Sequence, residues 1–310
     1  MTGRWQVFMY CCVPKPPWFT HAVRFVLTAG LCALALTPAP ARAEKFNLVY
    51  ARQYAETDSR LDYPVRLLEL ALKKAGADYN IQSDARSMSQ DASLKRLAEG
   101  GSVNVVWTMT SKQREQELLP IRIPLDKGLF GYRIAFVRQQ DRNALAKVKT
   151  LADMRRFAAG QGHDWPDTQI LQGNGLNVVT APAFDGLFNM LRAGRFDYFP
   201  RSVLEIWDEE EQAGAQQLVV DDKIVLHYPA AIYYFVNKKD RALASALERG
   251  LNKAIADGSF DTLFYERYGE PIKRANLRQR SAIALKNPLL PPETPLSRKA
   301  LWLDINALPK

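Results

Sequence analysis

What most constrains this chain is the order of its apolar segments. Strand-like and helix-like patterns alternate in two runs, and two long apolar stretches, GYRIAFVRQQD (131–141) and AAIYYFVNKKD (230–240), flank the second run. In the first run, KFNLVYA reads as a strand. YPVRLLELALKKAG follows as a helix, with Val65, Leu68 and Leu72 on one face and Gly76 as its stop. DYNIQ is a short strand, SQDASLKRLAEGG a polar-faced helix with Leu94 and Leu97, and VNVVWT a buried strand. In the second run, TLADMRRFAAGQG has capping-box spacing at Thr150 and Asp153 and a strand ending in Gly160 and Gly162. DWPDTQILQGNG is a helix with Asp164 as N-cap and Pro166 in its first turn, LNVVT a strand and AFDGLFNMLRAG a helix. RFDYF is a strand halted by Pro200, and SVLEIWDEEEQAG a helix. RALASALERGLNKAIADG and SFDTLFYERYG close the pattern as two helices, and a Pro-rich stretch containing NPLLPPETP follows as a surface tail. Such alternation demands α/β layering with mainly parallel sheets. Two runs joined through two long strands imply two lobes, two crossovers and a cleft, and open α/β sheets bind ligands beyond the carboxyl ends of their strands.

The N-terminus has the order of a secretory signal: basic KPPWFTHAVR, apolar FVLTAGLCALAL, then small TPAPARA with Ala41 and Ala43 before a cleavage point. The apolar run is short for a bilayer span, and translation starting at Met9 would give a more ordinary length. All three cysteines (Cys11, Cys12 and Cys32) lie in this segment, so the chain after it has no disulfide, thiol nucleophile or thiolate metal site. The segment also holds four basic residues and no acid, which leaves 38 of the 42 basic residues against 33 acidic ones. So mild an excess, without a Lys/Arg run, excludes a nucleic-acid partner. With His163 and His227 as its only histidines, neither at ligand spacing, the exported part is expected to hold no metal and no cofactor.

From Phe46 to Gly269 the chain resembles the type II periplasmic solute-binding proteins of the amino-acid-binding group, family 3. TLADMRRFAAGQG is similar to the segment opening that family's second lobe, and LFNMLRAGRFDYF to its helix–Gly–Arg–strand unit. AIYYFVNKKDRALASALERGLNKAIADGSFDTLFYERYG is the closest match. The resemblance implies an α/β, two-lobed periplasmic-binding-protein type II fold with two crossover strands and a ligand cleft. Its parts would be a signal peptide at 1–43, a first lobe at 44–137 completed by 231–270, a second lobe at 138–230 and a Pro-rich tail at 271–310. It also implies a monomer in the periplasm that passes a small solute to an ABC permease or a membrane sensor.

The family's carboxylate-gripping Thr-x-x-Arg segment falls on TMTSKQREQELL, where Thr110 stands four residues before Arg114 rather than three. A guanidinium fork matches a carboxylate bidentately, so Arg114 and Thr110 are ligand candidates. The alternative is a surface arginine among Lys112, Glu115 and Glu117. The helix start at GQGHDWPDT suits an anion through free N–H groups, which adds Gly162, His163 and Trp165, against a plain β-to-α turn. Where family members place an acid for the ligand ammonium, this chain has Ser202 beside Arg201. If Pro200 ends the strand, Arg201 emerges at the binding edge, unless it pairs with Asp208 or Glu209 on the next helix. Arg52 and Tyr54 stand at the matching edge of the first strand. Arg114 and Arg201 facing one another would favour an anionic solute. Trp107 and Trp207 read as packing, and Asp197 as a structural residue of its strand. A dehydratase-like enzyme on the same fold is the alternative, with Tyr54, Glu56, His163 and Asp164 as acid–base candidates. A ligand-sensing partner of a membrane kinase is another.

Overall fold

The computed structural model describes residues 44–52 and 59–308. The expected signal segment, Tyr54 and Glu56 lie outside the described residues. Among those described, no helix is long and apolar enough to cross a membrane.

The first run builds one lobe. Strand β1 (Lys45–Arg52) runs parallel to β2 (Asp78–Ser87) and to β3 (Val105–Met109). The helix between β1 and β2, α1 (Asp62–Ala75), buries Leu67, Leu68, Ala71 and Leu72 at i, i+1, i+4 and i+5, so one stripe faces the core and Val65 is half-buried. Helix α2 (Gln90–Ala98) begins at Ser89, whose side chain accepts the Ala92 N–H, and buries Leu94 and Leu97. Helix α3 (Lys112–Glu117) and strand β4 (Leu119–Ile121) follow β3.

The chain then passes to the second lobe over residues 122–131, before rather than after β5 (Tyr132–Arg138), which lies wholly in the second sheet. Helix α4 (Leu151–Met154) carries the expected reciprocal capping box between Thr150 and Asp153. Strand β6 (Ala158–Gly162) pairs in parallel with β7 (Asn177–Ala181). Between them α5 (Pro166–Gly173) starts at Trp165, not Asp164, because Pro166 takes the first helical position and no side chain caps it. Helix α6 (Phe184–Arg192) leads to β8 (Phe199–Ser202), then α7 (Glu210–Ala215), β9 (Leu218–Val220) and β10 (Ile224–His227).

Strand β8 corrects one expectation. It does not stop at Pro200 but runs through it to Ser202, antiparallel to β5. Pro200 lies opposite Ala135, at a position of the ladder that exchanges no hydrogen bond: Val203 donates to Tyr132, and the Ala135 carbonyl accepts from Asp221 instead. A missing N–H costs nothing there. Asp197, as read from the sequence, is structural: its carboxylate accepts the Ala158 N–H at 2.8 Å, beside the bridge from Ala159 to Tyr198 that attaches β6 to β8.

Residues 228–231 return the chain to β11 (Ile232–Val236), which inserts antiparallel between β3 and β4 and completes the order β2-β1-β3-β11-β4. Helices α8 (Arg241–Ala256) and α9 (Ser259–Ala275) pack on α1. Residues expected as a surface tail instead form β12 (Ser281–Ala284), parallel to β10, and give the second sheet the order β12-β10-β5-β8. The tail is built in because it carries apolar residues, with Ile283, Leu285, Leu301 and Leu303 all buried.

Candidate functional site

Residues of both lobes line a cleft of about 460 Å³. From the first lobe come the carboxyl end of β3 (Trp107, Thr108, Met109), the start of α2 (Ser89, Gln90), and Tyr63 and Tyr268 of α1 and α9. From the second come Arg133 at the start of β5, the β6–α5 turn (Gly162, Trp165, Asp167), Arg201 of β8, and Glu205. The parallel β1–β3 part of the first sheet and the β6–β7 pair thus present their carboxyl ends to one space, as open α/β sheets do. At the turn the backbone needs a glycine. A Cβ on Gly162 would lie 2.5 Å from the Trp165 ring, and Trp165 in turn stacks on Phe199 at 16° with centroids 6.3 Å apart.

The second-lobe wall is a network of buried charges. Arg133 reaches Asp167 directly and Glu205 at 3.1 Å, donates from Nε to the Tyr228 hydroxyl at 2.9 Å, and lies 4.0 Å above the Phe130 ring. The Tyr228 hydroxyl donates to Asp167. Arg201 forms a bidentate pair with Glu209, Nε to Oε2 at 2.7 Å and Nη2 to Oε1 at 2.6 Å, and reaches Glu205 at 3.1 Å. Its guanidinium carbon also lies 4.9 Å from the Trp165 ring centre and 5.3 Å from that of Phe184. Arg60 of the first lobe approaches Glu209 at 3.6 Å. Burial raises the Glu205 carboxyl, but Arg201 and Arg133 overcome this and hold it below its ordinary value. For Glu209 burial prevails over Arg201, and its carboxyl is raised. Asp126, in the crossover, also lines the cleft. Burial raises it to about 6, although the Phe130 N–H (2.7 Å) and Gly128 N–H (3.3 Å) partly counter this.

The first-lobe wall has a different character. Arg114 donates from Nη1 to Thr108 Oγ1 at 2.9 Å and to the Met109 carbonyl at 2.7 Å, and from Nη2 to Gln90 Oε1 at 2.5 Å. All three acceptors are neutral and belong to cleft-lining residues, and burial lowers the guanidinium's affinity for its proton. Among the described residues no carboxylate lies within ion-pair distance of Arg114, and no group of three or more His, Cys, Asp or Glu side chains is placed to hold a metal ion.

No protein-family model matches the chain, and no curated protein matches it. Solved structures do. The extracellular-binding protein ytmK from Bacillus subtilis superposes with a TM-score of 0.56 at 17% identity, over 74% of this chain and 99% of its own. An ancestral arginine-binding protein bound to arginine gives 0.53 at 15% identity, over 73% and 98%. A histidine kinase sensor domain with similarity to periplasmic binding proteins gives 0.53 at 17%, over 74% and 97%. The fold is that of a type II periplasmic binding protein.

Within this binding-protein fold the cleft gathers some of the sequence candidates and not others. Gly162, Trp165 and Arg201 line it. Arg114 stands one layer behind, reaching it through Gln90, Thr108 and Met109. Thr110 is fully buried in the turn between β3 and α3 and donates to Glu115 at 2.6 Å rather than into the cleft. Ser202 is also buried and spends its hydroxyl on the Leu204 N–H at 3.1 Å. His163 is exposed at the far side of its turn, and Arg52 donates to the Ala85 carbonyl at 2.9 Å, neither facing the cleft. Arg201 faces the cleft but is not held ready for an anion: Glu209 and Glu205 neutralise it, and the pairing with Glu209 weighed from the sequence is the one that forms. Trp107, read as packing, lines the cleft, while Trp207 does pack, donating to the Pro271 carbonyl at 3.2 Å.

Sequence reasoning missed Arg133, Asp167, Glu205 and Gln90. One signal was present. Arg133 opens the buried and otherwise apolar run 133–137 inside β5, and a buried cation requires partners. The identity of those partners, Asp167 and Tyr228, lay 34 and 95 residues away.

Proposed function

We propose that this protein is an exported solute-binding protein, whose lobes close over a small polar solute bearing a carboxylate and deliver it to a membrane transporter. One observation carries the reading. Arg114 is a half-buried cation whose hydrogen-bond acceptors are neutral groups of cleft-lining residues, so a solute carboxylate replacing the Gln90 amide oxygen would gain a charge-assisted bond. The second-lobe arginines are already matched by Glu205, Glu209 and Asp167, which removes the argument for a purely anionic solute and leaves room for a zwitterion. The similar structures include both an arginine-binding protein and a kinase sensor domain; a cleft with its own receptor groups serves either use, and delivery to a permease is the reading we adopt. We read the chain as a binder rather than an enzyme because the similar solved structures are binding proteins, and of the acid–base candidates read from the sequence only Asp164, among the described residues, lines the cleft. His163, 4.0 Å from Asp164, points outside.

A thermal-shift screen of L-amino acids and dicarboxylates tests this, with hits measured by calorimetry on the parent protein and on Arg114→Met. A charge-assisted bond contributes roughly 1.5–3 kcal/mol net, so the variant should bind about 10- to 150-fold more weakly. Equal affinity in Arg114→Met would remove Arg114 from the site. A screen in which no carboxylate-bearing solute binds would defeat the reading.

A further inference from the structure

The residues after α9 cross between the lobes twice more than the two long segments require. Helix α9 ends in the first lobe at Ala275, and six residues later β12 lies in the second sheet, paired with β10 from Ile224 opposite Ser281 to His227 opposite Ala284. Arg280 secures this passage from both sides. Its Nε donates to the Ala275 carbonyl of α9 at 2.6 Å, and its Nη1 to the Asp221 and Ile224 carbonyls of the second lobe at 2.5 and 3.1 Å.

The chain then returns. Lys286 and Asn174 of the second lobe exchange hydrogen bonds at 2.7 and 2.9 Å. Asn287 donates to the carbonyl of Pro229, inside the returning crossover, at 2.8 Å. Two residues on, the Leu289 carbonyl accepts the Lys112 N–H of the first lobe at 3.0 Å. Finally Leu303 donates to the Lys127 carbonyl, inside the outgoing crossover, at 2.7 Å. The neighbouring Trp302 covers Gly128 so closely that a Cβ there would lie 2.4 Å from the ring. Lys127 and Gly128 both have left-handed φ, 51° and 73°, so this crossover turns sharply under the tryptophan.

Two connecting segments define an axis about which lobes turn, since hinges are a few residues that absorb the change in φ and ψ. Here both crossovers are grasped from outside by the same C-terminal segment, which is itself anchored by buried Ile283, Leu285, Leu301 and Leu303. We propose that residues 276–303 are a strap that buttresses the hinge and limits how far the lobes part. Opening must then strain or release the bonds of Asn287 to Pro229 and of Leu303 to Lys127.

The test needs no solute. Hydrogen exchange of the hinge peptides 122–131 and 228–232, together with small-angle scattering, is measured on the purified protein, on Asn287→Ala and on Trp302→Ala, with circular dichroism to verify folding. Both variants should exchange about 5- to 30-fold faster at hinge amides, as loss of one or two such contacts allows, and show a larger radius of gyration than the parent. Hinge exchange and radius unchanged in folded variants would overturn the proposal. So would faster exchange confined to 285–303, the behaviour of a surface tail. If Trp302→Ala fails to fold, Asn287→Ala decides alone, because it removes side-chain hydrogen bonds and no apolar packing. Since no ligand enters the measurement, failure of the strap leaves the solute-binding reading untouched, and an empty solute screen leaves the strap untouched.

Discussion

Replacing Arg201 by alanine should unbalance the cleft wall and lower stability by about 3–5 kcal/mol, the range for breaking a buried ion pair by removing one partner. Arg201 is 4% exposed, and it closes two bonds of 2.7 and 2.6 Å to Glu209, which is equally buried. Without it Glu205 keeps Arg133 at 3.1 Å, whereas Glu209 keeps Arg60 at the longer distance of 3.6 Å. Glu209 is therefore the carboxylate left with the weaker compensation. At roughly 2–4 °C per kcal/mol for a chain of this size, Tm should fall by about 6–20 °C. The pH dependence supplies a signature that a loss of packing would not. Burial already raises the Glu209 carboxyl in the folded state, and removing Arg201 raises it further. A carboxyl raised on folding stabilises below its unfolded pKa, and that contribution is lost as pH rises through the folded value. The deficit of the variant should thus be smallest at acid pH and grow as pH rises above the ordinary carboxylate range. Urea denaturation across that rise in pH is the assay, and Arg201→Ala/Glu209→Gln should recover part of the loss by removing the poorly compensated charge. A deficit under about 1 kcal/mol, or one independent of pH, would refute the assignment of Arg201 to an internal network.

Asp126 should oppose stability as pH rises from about 4 to 6, because burial lifts its folded-state pKa to about 6 from the usual carboxylate range; the difference amounts to about 3 kcal/mol. Asp126→Asn should flatten that part of the stability–pH curve relative to the parent, and parallel curves would show that Asp126 is not protonated on folding. Export predicts a processed N-terminus at Glu44, and mass spectrometry that finds the intact 1–43 segment on protein from the periplasmic fraction would contradict it.

Much of the fold was legible because it depends on local pattern. The 3.6-residue spacing of Leu68 and Leu72, the Thr150–Asp153 capping box and the apolar runs of β3, β5 and β11 each fix an element from a few neighbouring residues. Their order then leaves little choice of architecture, since parallel strands need crossovers and two such runs need a passage between them. Gly162 and Trp165 were legible as cleft-lining residues for the same reason: a strand end and a helix start meet there by local geometry alone.

What the tertiary structure decided is which charges meet. Whether Arg201 offers its guanidinium to a solute or spends it on Glu209 depends on how the segment after β8 folds back, and whether Arg133 finds Asp167 depends on where α5 packs against β5. Pro200 looked like a strand end because the missing N–H is visible in sequence, but whether that N–H was needed depends on the register with β5. The C-terminal segment looked like a tail because prolines disrupt local pattern, while its role rests on carbonyls of Pro229 and Lys127 that lie 58 and 176 residues before Asn287 and Leu303 respectively. Local propensity sets the elements of this protein. The partners of its buried charges and the bracing of its hinge are set by the packing of those elements, where burial makes each unpaired group costly enough to select one arrangement.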